Sequence, residues 1–342
     1  MASKTLPLTL PGIAVNATHD KVPVGKIRLN PENPRIRFLL QQKRLAKAPS
    51  EKALIEIIRD QPGYDGLQKA IRKAGGIYDP IIVDHTGLVI EGNTRATVFK
   101  VLHDGTKADS RWQKIPVLRL PRTVPESSTA LLMGSYHIGG KTTWRAYAQA
   151  DHIYQLKHKY KLDPEQIADE TRMSKKEVEQ YIDAYDYLVK EVLPKANGSA
   201  GMEILEKKFS HALEFIKNKK LAKLRADPKV RAKVATLIVD NKIKGAEVRH
   251  LDKVLKNRQA SSALKTGGFK AAKAVLNDVD PASGSKVLKE VRHLTASLNS
   301  MSQDDIETIK KSAKARDLLV ALNRALRSVA SVTGVKFKDR NG

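Results

Sequence analysis

Hydrophobic residues follow two different periods in the first third of the chain. Pro80-Ile81-Ile82-Val83 and Leu88-Val89-Ile90 are short, β-branched runs on either side of His85-Thr86-Gly87, which predicts a tight hairpin with Gly87 at a positive φ. The second arm runs through Glu91-Gly92-Asn93-Thr94-Arg95 into Ala96, Val98, Phe99, Val101 and Leu102, spaced as one face of a helix that should end near Gly105. Upstream, residues 1–20 show little periodicity and are read as a flexible lead-in. Val22 to Ile27 reads as a strand, and Asn30 to Arg35 as a turn-rich loop. Residues 39–63 read as charged and partly helical, and Leu67 to Ala74 as a short amphipathic helix closed by Gly75-Gly76. Ile115 to Leu120 reads as a closing strand, with Pro121 to Pro125 as a boundary.

Beyond that boundary the period becomes helical. Thr143 to His158 reads as a helix capped by Thr142 or Thr143. Asp163-Pro164-Glu165-Gln166 supplies an N-cap, a first-turn proline and a capping-box partner, and Ser174-Lys175-Lys176-Glu177 repeats the box eleven residues later. The two predict a helix-turn-helix in which Arg172 stands where the turn usually holds glycine. Lys195 to Gly201 reads as a loop, and helices follow at about 202–224, 228–240 and 245–257. Ser261 to Gly268 reads as a linker. Apolar stripes at Val287, Leu288, Val291, Leu294 and Leu298, and at Leu319, Leu322, Leu326 and Val329, predict a helical hairpin or a dimerisation element.

Charge changes this picture more than composition does. The 342 residues carry a formal net charge of +25, which points to a polyanionic partner, nucleic acid first. Residues 1–125 contribute a net +10, residues 126–190 a net −1 and residues 191–342 a net +16, so most of the attraction lies in the carboxy-terminal part. The chain has no cysteine, which excludes disulfides, thiolate catalysis and cysteine-ligated zinc. Aromatic residues make up only 5%, which argues against a broad base-stacking surface. With no signal-peptide pattern and no apolar run of membrane-spanning length, the expected location is cytoplasmic, without a membrane partner.

The candidate chemistry centres on the Gly92 turn. A glycine-containing turn that opens a helix directs backbone N–H groups outward, and Arg95 adds a charged fork suited to phosphate. Glu91 and Asp84 are candidate Mg²⁺ ligands, and each reads equally as a solvent-facing hairpin residue. Gly139-Gly140-Lys141-Thr142 has the chemistry of a phosphate loop, but Ser135 occupies the place of a P-loop's first glycine. His85, His103 and His137 stand apart from one another, and Ser210-His211 reads as helix packing.

In this order, four sets of residues resemble the ParB family of chromosome and plasmid partition proteins. Val24 to Arg35 is similar to the family's opening strand and N-P-x-x-P-R loop, and Gly75 to Val83 to its G-x-x-x-P-I-x-V segment. Gly92-Asn93-Thr94-Arg95 stands where the family has its phosphate-binding G-x-x-R. In the helical half, Gln166 to Leu188 is similar to the helix-turn-helix, Phe209 to Leu213 to the helix after it, and Gly245 to Arg249 to a later V-R element. The resemblance spans about residues 22–258.

The fold it implies is an α+β amino-terminal ParB/sulfiredoxin-like domain, an all-α helix-turn-helix domain and a helical carboxy-terminal element. On this sequence these fall at 21–123, 127–258 and 269–336. The implied ligand is CTP with Mg²⁺, with ATP as the alternative, and slow CTP hydrolysis accompanies it in the family. Implied nucleotide-site residues are Tyr78 and Pro80 beside the base, and Gly92, Asn93, Thr94 and Arg95 at the phosphates. Implied DNA contacts are Arg172, Lys175, Lys176 and Gln180, with double-stranded DNA, a second copy of the chain and a partition ATPase as partners.

The chain departs from the family twice. Thr94 replaces the first of the paired arginines, and Leu131 to His137 lacks the acid and asparagine of E-N-x-x-R. His137 and Lys141 are candidates to stand in for those groups. Two other readings stay open: a ParB-fold nuclease or NTPase acting on DNA, and a transcriptional or architectural DNA binder whose nucleotide pocket has decayed.

Overall fold

The computed structural model describes residues 4–10, 13–42, 49–106, 108–138, 144–196, 201–280 and 285–337. It divides into two compact units, residues 1–271 and 272–342.

The first unit is built on a five-stranded sheet. Its strands are β1 (Lys4–Leu10), β2 (Ile13–Pro23), β3 (Ile81–Val83), β4 (Val89–Glu91) and β5 (Lys114–Arg119), in the order β1-β2-β5-β3-β4. Only the β3–β5 pair is parallel. The expected lead-in at residues 1–20 is thus a strand pair instead. Leu6 and Leu8 are half-buried on one face of β1 and Leu10 is buried, while Thr5, Pro7 and Thr9 face solvent. That is a period-2 pattern with a proline on an edge strand, where a missing ladder donor is tolerated. β2 ends at Pro23, and Val24–Lys26 is a 3-10 turn where the sequence suggested continued strand.

Both faces of the sheet are covered, which explains why Ile81-Ile82-Val83 is apolar without a break. Ile81, Val83, Val89, Ile115 and Val117 join one core with α2 (Glu51–Arg59), α3 (Tyr64–Ala74) and α4 (Asn93–Gly105). Ile82, Ile90 and Leu120 face the other way, into a core with α5 (Glu126–His137), α6 (Ala146–His158) and α7 (Pro164–Thr171). This second core straddles Pro121 to Pro125, with Leu120 on one side and Ala130 to Met133 on the other. α3 ends as read, with Gly75 left-handed at φ 71°. α4 runs through Gly105 and is capped by Thr106. α6 begins at Ala146, with no side-chain cap from Arg145; Thr142 and Thr143 lie outside the described residues.

α1 (Pro34–Gln42) begins at the second proline of the Asn30–Arg35 stretch, so the last two residues of that expected loop are helical. α1 is tied to the helical half by a buried ion pair: Arg37 donates from Nε and Nη2 to Asp151 on α6, with Nε at 2.9 Å. The other Asp151 oxygen accepts the Tyr185 hydroxyl of α8 (Lys175–Tyr187) at 2.8 Å. Farther along, α9 (Gly201–Lys217), α10 (Ala222–Arg225), α11 (Pro228–Val239) and α12 (Leu251–Lys256) pack around Tyr187, Phe209 and Phe215. The expected linker at 261–268 is part of α13 (Arg258–Val279), which kinks at Gly268, φ 74°.

The second unit contains α14 (Lys286–Asn299), α15 (Gln303–Lys311) and α16 (Ala313–Thr333). Both predicted stripes lie on α14 and α16 and are largely solvent-facing in the single chain. Among the described residues no helix is long and apolar enough to cross a membrane.

Two outcomes follow for stability. Asp151→Ala leaves the buried Arg37 guanidinium with only the exposed Glu32, at 3.5 Å, as a partner and should cost about 3 kcal/mol in urea unfolding. Burial holds His152 and His211 neutral, pushing their pKa values down to about 3 and about 4. The unfolded chain takes up protons at these sites below about pH 6.5 while the folded chain does not, so stability should fall as pH drops from about 6.5 toward about 3. His152→Leu should flatten part of that limb in urea midpoints measured against pH.

Candidate functional site

The predicted hairpin forms, and its turn consumes Asp84. One Asp84 oxygen accepts the Thr86 and Leu88 N–H groups at 2.8 Å each, so this carboxylate forms the turn. Gly92 then starts α4 at φ 103°, with no side chain to cap the first turn. A Cβ here would sit 2.6 Å from Ile81 Cγ2, so only glycine fits between β3 and the helix. The start of α4 is open to an external acceptor, with the positive end of the helix dipole behind it.

Asn93 is tied to a distant stretch of backbone. It is buried, accepting the Asn30 N–H through Oδ1 at 3.0 Å and donating Nδ2 to the Asn30 carbonyl at 2.9 Å. Its amide thus mimics a strand neighbour and bolts the Asn30–Arg35 stretch onto the start of α4. Asn33 Oδ1 accepts the Arg35 N–H at 3.0 Å, in the first turn of α1. The two asparagines therefore set the position of Arg35.

A cleft of about 920 Å³ opens beside this junction. Among its walls are Arg35, Tyr78, Asp79, Pro80, Glu91, Gly92, Asn93, Thr94, Arg95, Tyr136, His137 and Trp144. Seven of the eight predicted nucleotide-site residues are therefore brought together, and Lys141 lies outside the described residues. Tyr78 stands at the mouth, 94% exposed, while Thr94 and Arg95 are half-buried.

Arg95 is not a bare fork. It pairs with Glu91, the last residue of β4, and donates Nη1 to the Asp79 carbonyl at 2.7 Å. A phosphate entering here has to compete with Glu91. Both side chains of the pair are mostly buried, at 20% and 14% exposure, so the competition takes place with little solvent screening. Tyr136 stands near the pair; burial first, and then the Glu91 charge, raise its pKa.

Three wall residues were not singled out from sequence. Arg35 carries a guanidinium whose pKa burial lowers, and it has no carboxylate partner among the described residues. Tyr136 adds a second aromatic ring near the mouth. Trp144 stacks on His137 with ring centroids 4.8 Å apart, and its buried Nε1–H has no acceptor among the described residues. Arg35 was legible as the last residue of N-P-x-x-P-R, but only the fold shows that it faces Arg95's cleft. Glu91 and Asp79 are the carboxylates on these walls, and no group of three metal-ligating side chains occurs among the described residues. One or two carboxylates suit a Mg²⁺ carried on phosphates, which keeps most of its other ligands as water and phosphate oxygen.

The second candidate site is the pair α7 and α8, joined across Arg172, Met173 and Ser174. Both capping boxes form, and Ile167, Ala168 and Val178 are buried as their spacing implied. Arg172 takes the left-handed conformation itself, at φ 57°, where glycine would be less strained. Lys175 and Lys176 are exposed and Gln180 is half-buried. Lys175 pairs with Glu165 at 3.3 Å, whereas Lys176 has no carboxylate within ion-pair distance among the described residues. Glu177 is engaged in the cap, where the Ser174 hydrogen bonds hold its carboxyl below the usual range.

No family model matches the chain, and no curated protein does. Solved structures do. The chain is similar to the C-terminally truncated chromosome-partitioning protein ParB from Caulobacter crescentus, complexed to the centromeric parS site. Identity is 13%, over 68% of this chain and 98% of that one, with a TM-score of 0.34. It is similar to a Pnob8-like ParB-N domain at 13% identity, over 89% of this chain and 97% of that one, with a TM-score of 0.35. A third likeness is to the C-terminally truncated Caulobacter crescentus ParB complexed with CTP-gamma-S. There identity is 14%, over 65% and 98% of the two chains, with a TM-score of 0.22. The likeness is to ParB proteins throughout. All three TM-scores lie below one half, so function is argued from the residues of the site.

Proposed function

We propose that the chain is a ParB-like DNA-binding protein that takes a nucleoside triphosphate in the 920 Å³ cleft. One observation carries the reading: three stretches far apart in sequence, each with a ParB-like pattern, line the same cleft. They contribute Asn33 and Arg35, Gly76 to Pro80, and Gly92 to Arg95.

Arg95 and the first-turn amides of α4 hold the phosphates, and Arg35 faces them from the α1 side. Thr94 replaces a second arginine at a position where one charged contact is lost. Tyr78, Tyr136 and Pro80 border the base, while His137 and Lys141 replace the E-N-x-x-R groups. CTP is the first choice of nucleotide and ATP the second. Mg²⁺, where present, neutralises phosphate charge, with Glu91 as the chain's nearest carboxylate once Arg95 releases it. α7 and α8 engage double-stranded DNA, and the apolar stripes of α14 and α16 pair two copies. A partition or related DNA-maintenance role, with a partner ATPase and a nucleoid or plasmid location, completes the reading. Slow nucleotide hydrolysis is the associated activity. A ParB-fold nuclease is the enzymatic alternative and requires Mg²⁺-dependent nicking that depends on Glu91.

The Glu91–Arg95 pair favours one other reading. If it never opens, the cleft is a decayed nucleotide pocket in a plain DNA binder. Calorimetric titration with CTP, ATP and GTP, with and without Mg²⁺, separates the two. Arg95→Ala removes a charged hydrogen bond worth about 1.5–3 kcal/mol and should weaken binding tenfold or more. Without Mg²⁺, Glu91→Gln should tighten it at least about fivefold, since even an exposed pair is worth up to about 1 kcal/mol and this one is mostly buried. Unchanged affinity in Arg95→Ala removes the phosphate assignment, and silence from all three nucleotides selects the decayed pocket.

A further inference from the structure

The helix pair supplies little net attraction to DNA by itself. Residues 126–190, which contain it, carry a net charge of −1, and Lys175 is already paired with Glu165. The electrostatic term that dominates duplex binding needs cations from elsewhere. A groove of about 820 Å³ runs along the start of α8, and its far wall is the turn that follows α9. Lys176 stands on the near wall, and Lys217, Lys219, Lys220 and Arg249 on the far one.

The far wall is a built turn. Asn218 accepts the Lys220 N–H at 3.0 Å and donates to the Arg249 carbonyl at 3.2 Å, fixing the lysine turn against the Gly245–His250 segment. Glu214, 9% exposed, takes Arg249 through two hydrogen bonds of 2.7 and 2.9 Å and Lys217 at 2.6 Å. Its carboxyl is held below the usual range, chiefly by Arg249. Arg249 and Lys217 are thereby half-neutralised, whereas Lys176, Lys219 and Lys220 have no carboxylate within ion-pair distance among the described residues. Glu177, the other acid on the groove, is committed to the α8 cap.

We infer that this groove seats the sugar–phosphate backbone of duplex DNA, with Lys176, Lys219 and Lys220 each at a phosphate. The inference rests on the DNA reading of the helix pair and assigns where its affinity comes from. Three exposed ammonium groups on two facing walls suit an extended chain of phosphates. The contacts carry no sequence information; they set the position of α8 over the base edges, and Gln180 lies on the same groove.

The test is the salt dependence of binding by the full chain to a fluorescein-labelled duplex of random sequence. Each phosphate contact contributes about 0.9 to the slope of log K against log salt. The triple variant Lys176→Ala, Lys219→Ala, Lys220→Ala should therefore lower the slope by about 2.7. A charge-matched control, Lys52→Ala with Lys69→Ala and Lys73→Ala on α2 and α3, should leave it unchanged. Matching thermal melts show that the exposed substitutions leave the fold intact. An unchanged slope in the triple variant, with wild type still binding, overturns the groove and leaves the DNA reading standing. A loss equal to the control's also overturns it, as does a loss confined to an RNA duplex. Failure of wild type to bind any duplex ends the DNA reading itself.

Discussion

One buried carboxylate holds the two halves of the first unit in register. Asp151 sits on α6 with its side chain 7% exposed, and an isolated charge there would be costly. It is offset by Arg37 of α1 and by the Tyr185 hydroxyl of α8, so three elements meet at one group. Burial opposes the Arg37 charge, and Asp151 more than offsets that, so the guanidinium pKa is raised. The same carboxylate, after burial, pushes the Tyr185 phenol far up and keeps it a donor. α1 continues directly from the loop that lines the cleft, and α8 is the second helix of the predicted reading pair. The cleft and the helix pair are therefore positioned from a common point, and neither can shift far without uncovering a charge.

The cleft has the same economy. Asn93 spends its side chain on the Asn30 backbone, and Asp84 spends its own on the hairpin turn. Gly92 is held by the approach of Ile81. What remains for a ligand is the helix start, Thr94, Arg35 and an Arg95 that must leave Glu91. On the proposed reading, a phosphate has to displace the half-buried Glu91 carboxylate before it reaches Arg95.

Sequence patterns revealed the hairpin, Gly75 as a cap, both capping boxes and the apolar stripes of α14 and α16. All of these are local, set by residues within a few positions of one another. The misses have two kinds of cause. The strand at residues 4–10 alternates over only Leu6, Leu8 and Leu10 and is interrupted by Pro7, so its period is short. Gly267-Gly268 resembles a linker, but the helix bends there and continues. The other misses depend on residues distant in sequence: Asn93 on Asn30, Arg37 on Asp151, and Trp144 on His137. Spacing marked Gly92 to Arg95 as chemistry but could not show that Asn93 is structural, or that Arg35 stands across from Arg95. Lys175 and Lys176 are equivalent in sequence, and only the position of Glu165 distinguishes them.

The central claim is that a nucleotide's phosphates sit at the start of α4. Amide hydrogen exchange tests it most directly, with the full chain compared alone and with saturating CTP, ATP or GTP, each with Mg²⁺. The account predicts that one of these slows exchange at Gly92 to Ala96 and at Gly76 to Asp79. Protection confined to other segments, or none with any of the three, would contradict it.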